Sequence, residues 1–458
     1  MSKINHELTK EITEIILKAK EKATRESSGE PDPKFPDKLE WPISCTIGPG
    51  LEGAIACETK IGYVNGSKGW LIYQGYDIFD LCAYSTFEEV SYLLIHGKLP
   101  NDSQLESFKK KLARYRDIPE TIRMLTSFPV EEMSTMAALR LGSELMRQNK
   151  VDEVEELTDA YGYISSDEDS IPMETNPMGE KKAIYEFDTD SEDSAELIDS
   201  CYQAIAGLSS ILGAISRLRS GYLPLEPKDE LSHAANLIYM MTGKEPTPLE
   251  ERIMDICLIL HADHGMNAST FATIVVASTL SDLYFSIGAG IAALNGPLHG
   301  GANEEVVHTL NEIGSVDNVK AWYEQSRKEG RKISGFGHRV YKAYDPRARI
   351  LEPLAKLLVE NHPEMKEKYE IAQALEDEVV NGFGKEKKIF PNVDFYSGIV
   401  YKSLGIQTEY YTPIFGASRV SGWAAHVVEY LKKNRIFRPR GIYVGEYGKE
   451  YEPIETRD

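Results

Sequence analysis

At 458 residues, 42% of them hydrophobic, the chain is too long for one small core, and two domains carrying polar additions is the natural expectation. Lys and Arg number 51 against 72 Asp and Glu, for a net charge of -21 and a pI near 5.1. That balance argues against nucleic acid and anionic membrane as partners. Small anionic substrates are compatible with it, because charge is screened over about 8 Å at physiological salt and local arginines outweigh the distant field.

From Ile4 to Ala23, the residues Leu8, Ile12, Ile15, Ile16 and Ala19 recur at helical spacing among mixed charges, predicting an amphipathic helix. The proline-rich GEPDPKFPDK follows, so residues 1–40 read as an N-terminal appendage. They lack the apolar core of a secretion signal and carry too much acid for a transit peptide, which points to a cytoplasmic protein. Between Leu51 and Ile78, β-branched and aromatic residues surround Asn65-Gly66, a hairpin signal. In Ser85–Pro100 the pattern places an N-cap at Ser85, its capping-box partner at Glu88, and stop signals at Gly97 and Pro100.

Residues 152–196 change character. Runs such as SSDEDS and DTDSEDSAE hold too little apolar surface to offset the entropy of ordering, so this reads as an acidic insertion, with Tyr161, Tyr163, Tyr185 and Phe187 as its possible docking points. Helical pattern resumes at Leu197, and Ile253, Ile256, Cys257 and Leu260 share a face within Glu250–Asp263. The run Ala268–Leu294 is apolar nearly all round and long enough to invite a membrane span. Asp282 near its middle would cost about 2.5–3.5 kcal/mol in lipid, and several Ser and Thr residues add polarity. A helix buried in a core or subunit interface fits better and implies an oligomer. Further helical patterns lie at Val316–Glu329, Leu351–Val359, Tyr369–Val380 and Ser418–Lys433. Strand signals are few, so the fold class is mainly α.

Several stretches carry chemistry. In NGPLHGGANEEV (Asn295–Val306), Gly296 and Pro297 hold His299 at a bend before a helix start whose amides can face a developing oxyanion. The competing reading is a corner histidine that caps a carbonyl. In LHADHGMNAST, the three-residue spacing of His261 and His264 predicts a shared helix face. The general-base glutamate of HExxH is missing, and the five cysteines (Cys45, Cys57, Cys82, Cys201, Cys257) are scattered without a CxxC pair, so no metal is expected and a reduced setting is. SGFGHRVYKAYDPRARI sets Gly335 and Gly337 before His338, then offers Arg339, Lys342, Arg347 and Arg349 as an anion site. In FPNVDFYSG, Asp394 stands among Val393, Phe395 and Tyr396, where desolvation would raise its pKa and make it a competent base. A helix-capping role is the alternative there.

Taken together, GPLHGGANEEV, GFGHRVYKAYDPRA, HADHGMNAST and PNVDFYSG resemble the citrate synthase family, especially its compact prokaryotic members, over about Leu51–Gly445 with the acidic insertion as an interruption. The resemblance implies an almost entirely helical dimer with a large domain over 41–299, a small mobile domain over 300–404 and a return to the large domain over 405–458. It implies condensation of acetyl-CoA with oxaloacetate, with no cofactor beyond the acyl-CoA substrate. His299, His338 and Asp394 match the family's catalytic trio. His264, Arg347, Arg419 of FGASRVSGW and Arg438 of RPRGIYVG match its oxaloacetate contacts, with Arg438 expected to reach the other subunit's site. Lys342, Lys385 and Lys387 fall where CoA phosphates would be met. Two alternatives stay open: a 2-methylcitrate synthase using propionyl-CoA, and a silent homologue serving as a binding scaffold. Gln74 in YQGYDI, where YRGYD is usual, and the lack of a His-Pro pair in EEMSTMAAL depart from the family pattern.

Overall fold

Apolar residues recur at helical spacing along most of the chain, and the structure, a computed structural model, follows that period. It describes residues 3–35, 40–147, 173–175, 181–183 and 192–447, together with 451, 454 and 457. Among the described residues helices dominate, and the strands form a three-stranded sheet near residue 70 and a two-stranded pair, Met173–Thr175 with Lys181–Ala183. The rest of the acidic insertion, including Tyr161, Tyr163, Tyr185 and Phe187, lies outside the described residues up to the helix Glu192–Arg219.

The N-terminal helix Lys3–Glu26 is docked on the body and does not stand off as the appendage its linker suggested. Ile12 and Ile16 are buried, each contributing about 1.5–3 kcal/mol. Thr13 Oγ1 donates to the Ala83 carbonyl at 3.1 Å, Lys20 pairs with Asp80 at 2.6 Å, and Glu26 pairs with Arg349. Asp32 on Lys68 and Phe35 edge-on to Tyr63 at 5.0 Å tie the linker down as well.

The hairpin forms with a longer loop than Asn-Gly alone would make. Gly62–Asn65 pairs antiparallel with Trp70–Tyr73, Asn65 opposite Trp70, and Gly66–Gly69 make the connection. Asn65 Oδ1 accepts from the Lys68 amide at 3.0 Å and the Ser67 hydroxyl at 2.9 Å, so Asn65 shapes the loop from the end of its strand.

Two local readings need correction. The helix Phe87–His96 is capped by Thr86, which accepts from the Glu89 amide, while Ser85 closes the preceding helix Ile78–Tyr84. Tertiary contacts shift the cap: Asp255 Oδ1 accepts the Phe87 amide at 2.8 Å, and Glu88 turns away to accept the His233 amide at 3.0 Å. The apolar run 268–294 is two helices, Ala268–Ala277 and Leu283–Leu294, packed on each other. Asp282 is the N-cap of the second, accepting from the amides of Tyr284 and Phe285 at 2.8 and 3.1 Å and pairing with Arg147 at 2.6 Å. A capping aspartate satisfies helix-end donors that a mid-helix charge cannot reach, and it breaks the run. Asp282→Ala should therefore lower stability by about 1 kcal/mol in urea denaturation, with activity unchanged.

One described helix, Ser194–Arg219, is long and apolar enough to cross a membrane, but 83% of its most apolar 18-residue stretch is buried inside the protein. The helix Tyr411–Leu431 is buried along most of its length and packs on Phe87–His96, Pro248–His261, Ala268–Ala277 and Leu283–Leu294, which carries Arg419 into the interior. A second group, Ala302–Ile313, Val319–Glu329, Pro346–Asn361, Lys366–Val379 and Val393–Ser403, packs on itself. Asp394 lies in the last of these helices, while His299 precedes Ala302–Ile313 and His338 precedes Pro346–Asn361.

Candidate active site

His299 ends the turn that follows Leu294. The amides of His299 and Gly300 both donate to the Gly296 carbonyl, at 2.8 and 3.2 Å. Gly300 is required by packing: a Cβ there would lie 2.4 Å from the Leu294 carbonyl oxygen. The helix Ala302–Ile313 then begins without a side-chain cap. His299 Nε2 accepts the Ser269 amide at 3.2 Å and lies 2.9 Å from the Ser269 hydroxyl. That hydroxyl donates to Asn267 Oδ1 at 2.7 Å and accepts from Trp423 Nε1 at 3.2 Å. An amide N–H can only donate, so Nε2 is the acceptor and the imidazole proton sits on Nδ1. The ring therefore caps no carbonyl through Nε2. Burial, reinforced by the charge of Arg419, pushes its pKa down to about 4, which keeps it neutral near pH 7.

The loop before His338 runs through the left-handed region at Gly335 and Gly337, with φ of 82° and 79°. It is laced to the segment that leads into Asp394: the Asn392 amide donates to Gly335 at 2.8 Å, the Gly337 amide to Phe390 at 2.9 Å, and Asn392 Nδ2 to Gly337 at 2.9 Å. Past the histidine, the amides of Val340 and Tyr341 both point at His338 Nδ1, at 3.0 and 3.2 Å. The His338 proton thus resides on Nε2, and burial followed by the charge of Arg347 brings this pKa to about 4.

His264 and His338 lie with ring centroids 5.2 Å apart, and His264 Nε2 is 3.2 Å from Tyr341 Oη. Burial and then Arg347 hold His264 well below the usual histidine range. His261 does not share its helix face. The helix Pro248–His261 ends there, and His261 turns its Nδ1 to the Cys257 carbonyl at 2.7 Å while its ring packs edge-on to Phe415. Among the described residues, no group of three or more His, Cys, Asp or Glu is arranged to hold a metal ion.

Two buried guanidinium groups face this cluster. Arg347 is gripped by Asp345, Nε to Oδ1 at 3.0 Å and Nη2 to Oδ2 at 2.8 Å, with both side chains almost fully buried. Arg419 donates Nε to the His261 carbonyl at 2.5 Å, but its buried Nη2 has no hydrogen-bond partner. Burial lowers the pKa of Arg419 to about 10, far too high to lose the charge. An ionised, unpaired buried donor is costly, so this position is suited to an anion.

Asp394 lies in the first turn of Val393–Ser403. The cap is Asn392, which accepts the Asp394 amide at 3.0 Å, so the carboxylate is left free of the capping role. Burial raises its pKa to about 6 against the opposing pull of Arg347 and Arg419. Electrostatic coupling links Arg347 to His264, His338 and Asp394, and Arg419 to His264, His299 and Asp394. Neutral histidine donors, a carboxylate poised near neutrality and two fixed cations are the parts needed to enolise a thioester beside a dicarboxylate.

Other expected residues stand apart. Arg438 is exposed and donates to the Pro439 carbonyl. Lys342, Lys385 and Lys387 are exposed, and Lys385 Nζ donates to Asn381 Oδ1 at 3.0 Å. The structure also adds residues that sequence reasoning left out. Ser269 sets the tautomer of His299, Asp345 fixes Arg347, and Asp263 accepts the Gly265 amide at 2.8 Å while bonded to His426 at 3.1 Å. Asp345 had a legible signal, since Asp-Pro opening a helix is a capping pattern and its carboxylate lies two residues before the arginine.

The family model for the citrate synthase C-terminal domain matches residues 50–440. The citrate synthase of Deinococcus radiodurans is 40% identical over 411 residues, covering 90% of this chain and 99% of that protein. A Bacillus subtilis protein named citrate/2-methylcitrate synthase is 35% identical over 399 residues, covering 87% and 96%. The solved citrate synthase of Pyrobaculum aerophilum superposes with a TM-score of 0.78 at 39% identity, over 93% of this chain and all (100%) of that one. The Thermoplasma acidophilum enzyme, solved as a ternary complex with carboxymethyl coenzyme A and oxaloacetate, gives 0.77 at 34% identity, over 90% and 100%. The chain belongs to the citrate synthase family of acyltransferases.

Proposed function

We propose that the chain condenses acetyl-CoA with oxaloacetate and water to give citrate and CoA. The observation that carries this reading is the unpartnered Nη2 of buried Arg419, set beside a second buried arginine, neutral histidines and the raised carboxyl of Asp394. Oxaloacetate brings two carboxylates for Arg347 and Arg419, with His264 as a further contact. Arg438 joins from the partner subunit, which accounts for its exposure in a single chain. Ile442, Val444 and Tyr447, more than nine-tenths exposed at 92%, 92% and 98%, fit burial against a second copy and hence a homodimer.

In this scheme Asp394 takes a proton from the acetyl methyl while His299 donates Nδ1–H to the thioester oxygen, stabilising an enol-like intermediate. His338 donates Nε2–H to the ketone of oxaloacetate. The carbon–carbon bond forms as the enol electrons move to the ketone carbon and the thioester carbonyl is restored; the ketone oxygen gains the Nε2 proton of His338, and the proton taken up by Asp394 replaces it, so that both groups are reset. Water then cleaves the thioester of citryl-CoA, releasing CoA. The steps use side chains alone, with no metal or cofactor. Lys342, Lys385 and Lys387, all exposed, are assigned to the CoA phosphates, which long ammonium side chains at the surface can meet. A cytoplasmic setting is supported by the five free cysteines.

The second reading, a 2-methylcitrate synthase, is favoured by the dual name of the Bacillus subtilis relative. One methylene is worth only about 1–3 kcal/mol in a pocket. Free-thiol release with acetyl-CoA and propionyl-CoA should give kcat/KM at least about tenfold higher for acetyl-CoA. Parity or reversal would assign the chain to 2-methylcitrate synthesis, and no turnover with either would leave only the binding scaffold.

A further inference from the structure

We propose that the hairpin loop Gly66–Gly69 is a positioning element for His338, setting how strongly the histidine polarises the ketone; the inference rests on the condensation assigned above. The residues after His338 present a run of amides in two directions. Val340 and Tyr341 donate to His338 Nδ1. The next two, Lys342 and Ala343, both donate to the Gly66 carbonyl at 2.9 and 3.1 Å. One short strip of backbone thus fixes the imidazole at one end and grips the hairpin at the other.

The contact leaves no slack. A Cβ on Gly66 would lie 2.0 Å from the Val340 carbonyl oxygen, which is backbone and cannot rotate away, and one on Gly69 would lie 2.8 Å from the Tyr344 carbonyl oxygen. The loop itself is braced. Asn65 Oδ1 holds the Lys68 amide and the Ser67 hydroxyl, and the Lys68 ammonium, paired with Asp32, sits 4.5 Å from the Trp70 ring centroid. On its other side the His338 loop is tied to the Asp394 segment through Gly335 and Gly337. His338 therefore stands between two anchors, and the hairpin is the one that sets the amides aimed at its ring. A displacement of about 1 Å remote from the chemistry can cost on the order of 10²-fold in rate.

The test is Gly66→Ala in the full-length protein, read by steady-state kinetics and by the infrared ketone stretch of bound oxaloacetate. Polarisation by His338 lowers that frequency, and a purely structural defect does not move it once the ligand is bound. The variant should keep the helical spectrum and bind oxaloacetate, its ketone stretch should return toward the solution value, and kcat should fall at least about tenfold. Asn65→Ala, which adds no atom but unshapes the loop, should move both readouts the same way by less, and Asn65→Asp, which keeps the acceptor, should restore them. If Gly66→Ala does not fold, the Asn65 pair decides. A wild-type ketone stretch with kcat within twofold in the folded Gly66→Ala variant, or in Asn65→Ala if that variant decides, overturns the proposal. A wild type that neither turns over nor shifts the bound ketone fails the functional reading first and takes the hairpin role down with it.

Discussion

Asp394→Asn is expected to lower turnover by roughly 10²–10⁴-fold and at the same time to make the folded chain more stable near neutral pH. The loss follows from removing the only group in the cluster placed to act as a base between pH 6 and 8, since His264, His299 and His338 are all held neutral as donors or acceptors with their lone pairs or protons already committed. The gain follows from the same burial. The Asp394 carboxyl moves from 3.8 to about 6 on folding, so the folded chain binds more protons than the unfolded one between those values. The penalty of burying the ionised form grows through that window and is complete above about pH 6, where it is on the order of 1–3 kcal/mol. Melting curves at pH 7.5 should show the asparagine variant higher than the wild type, with the gap closing towards pH 4. A variant both inactive and less stable at pH 7.5 would point to damaged packing and not to a missing base.

Mixed subunits give the second large effect. Arg438→Ala and His338→Ala homodimers should each be nearly inactive, one lacking a carboxylate contact and the other the ketone donor. If Arg438 serves the partner's site, a heterodimer of the two places both lesions in one composite site and leaves the other whole, as twofold symmetry requires. Purified heterodimers should then recover roughly half of wild-type activity per dimer. Heterodimers as inactive as their parents, with subunit exchange confirmed by mass, would place Arg438 in its own chain's site or outside the chemistry.

The residues that define the cluster were legible because glycine and proline punctuate them: Gly296-Pro297 before His299, Gly335 and Gly337 before His338, and Asp345-Pro346 before Arg347. Such residues mark bends, and a titratable side chain at a bend is displayed outside the regular hydrogen-bond pattern. What stayed hidden depends on tertiary partners. Ser85 and Thr86 each stand three residues before a glutamate, so the local pattern does not choose between them, and nothing local reveals that Asp255 accepts the Phe87 amide. The spacing of His261 and His264 fits a helix face, yet the helix stops between them because the following segment turns to meet Tyr73, whose hydroxyl bonds the Ile259 and Asp263 carbonyls at 3.1 and 2.8 Å. The apolar run 268–294 concealed its break because the apolar residues continue on both sides of Asp282, although its cap contacts to Tyr284 and Phe285 are local and the Arg147 pair only adds to them. Likewise, the N-terminal helix looked detachable by its linker, while its apolar face is buried against Ile78–Tyr84 and Pro346–Asn361, elements distant in sequence.

The most direct measurement is the pH dependence of CoA release by the wild-type protein supplied with acetyl-CoA and oxaloacetate. Thiol release should require both substrates, with kcat/KM falling tenfold per pH unit below about 6 as Asp394 is protonated and with no further acid limb until the histidines titrate near 4. Thiol release that proceeds without oxaloacetate, or a profile flat from pH 7 down to 5, would contradict this chemistry.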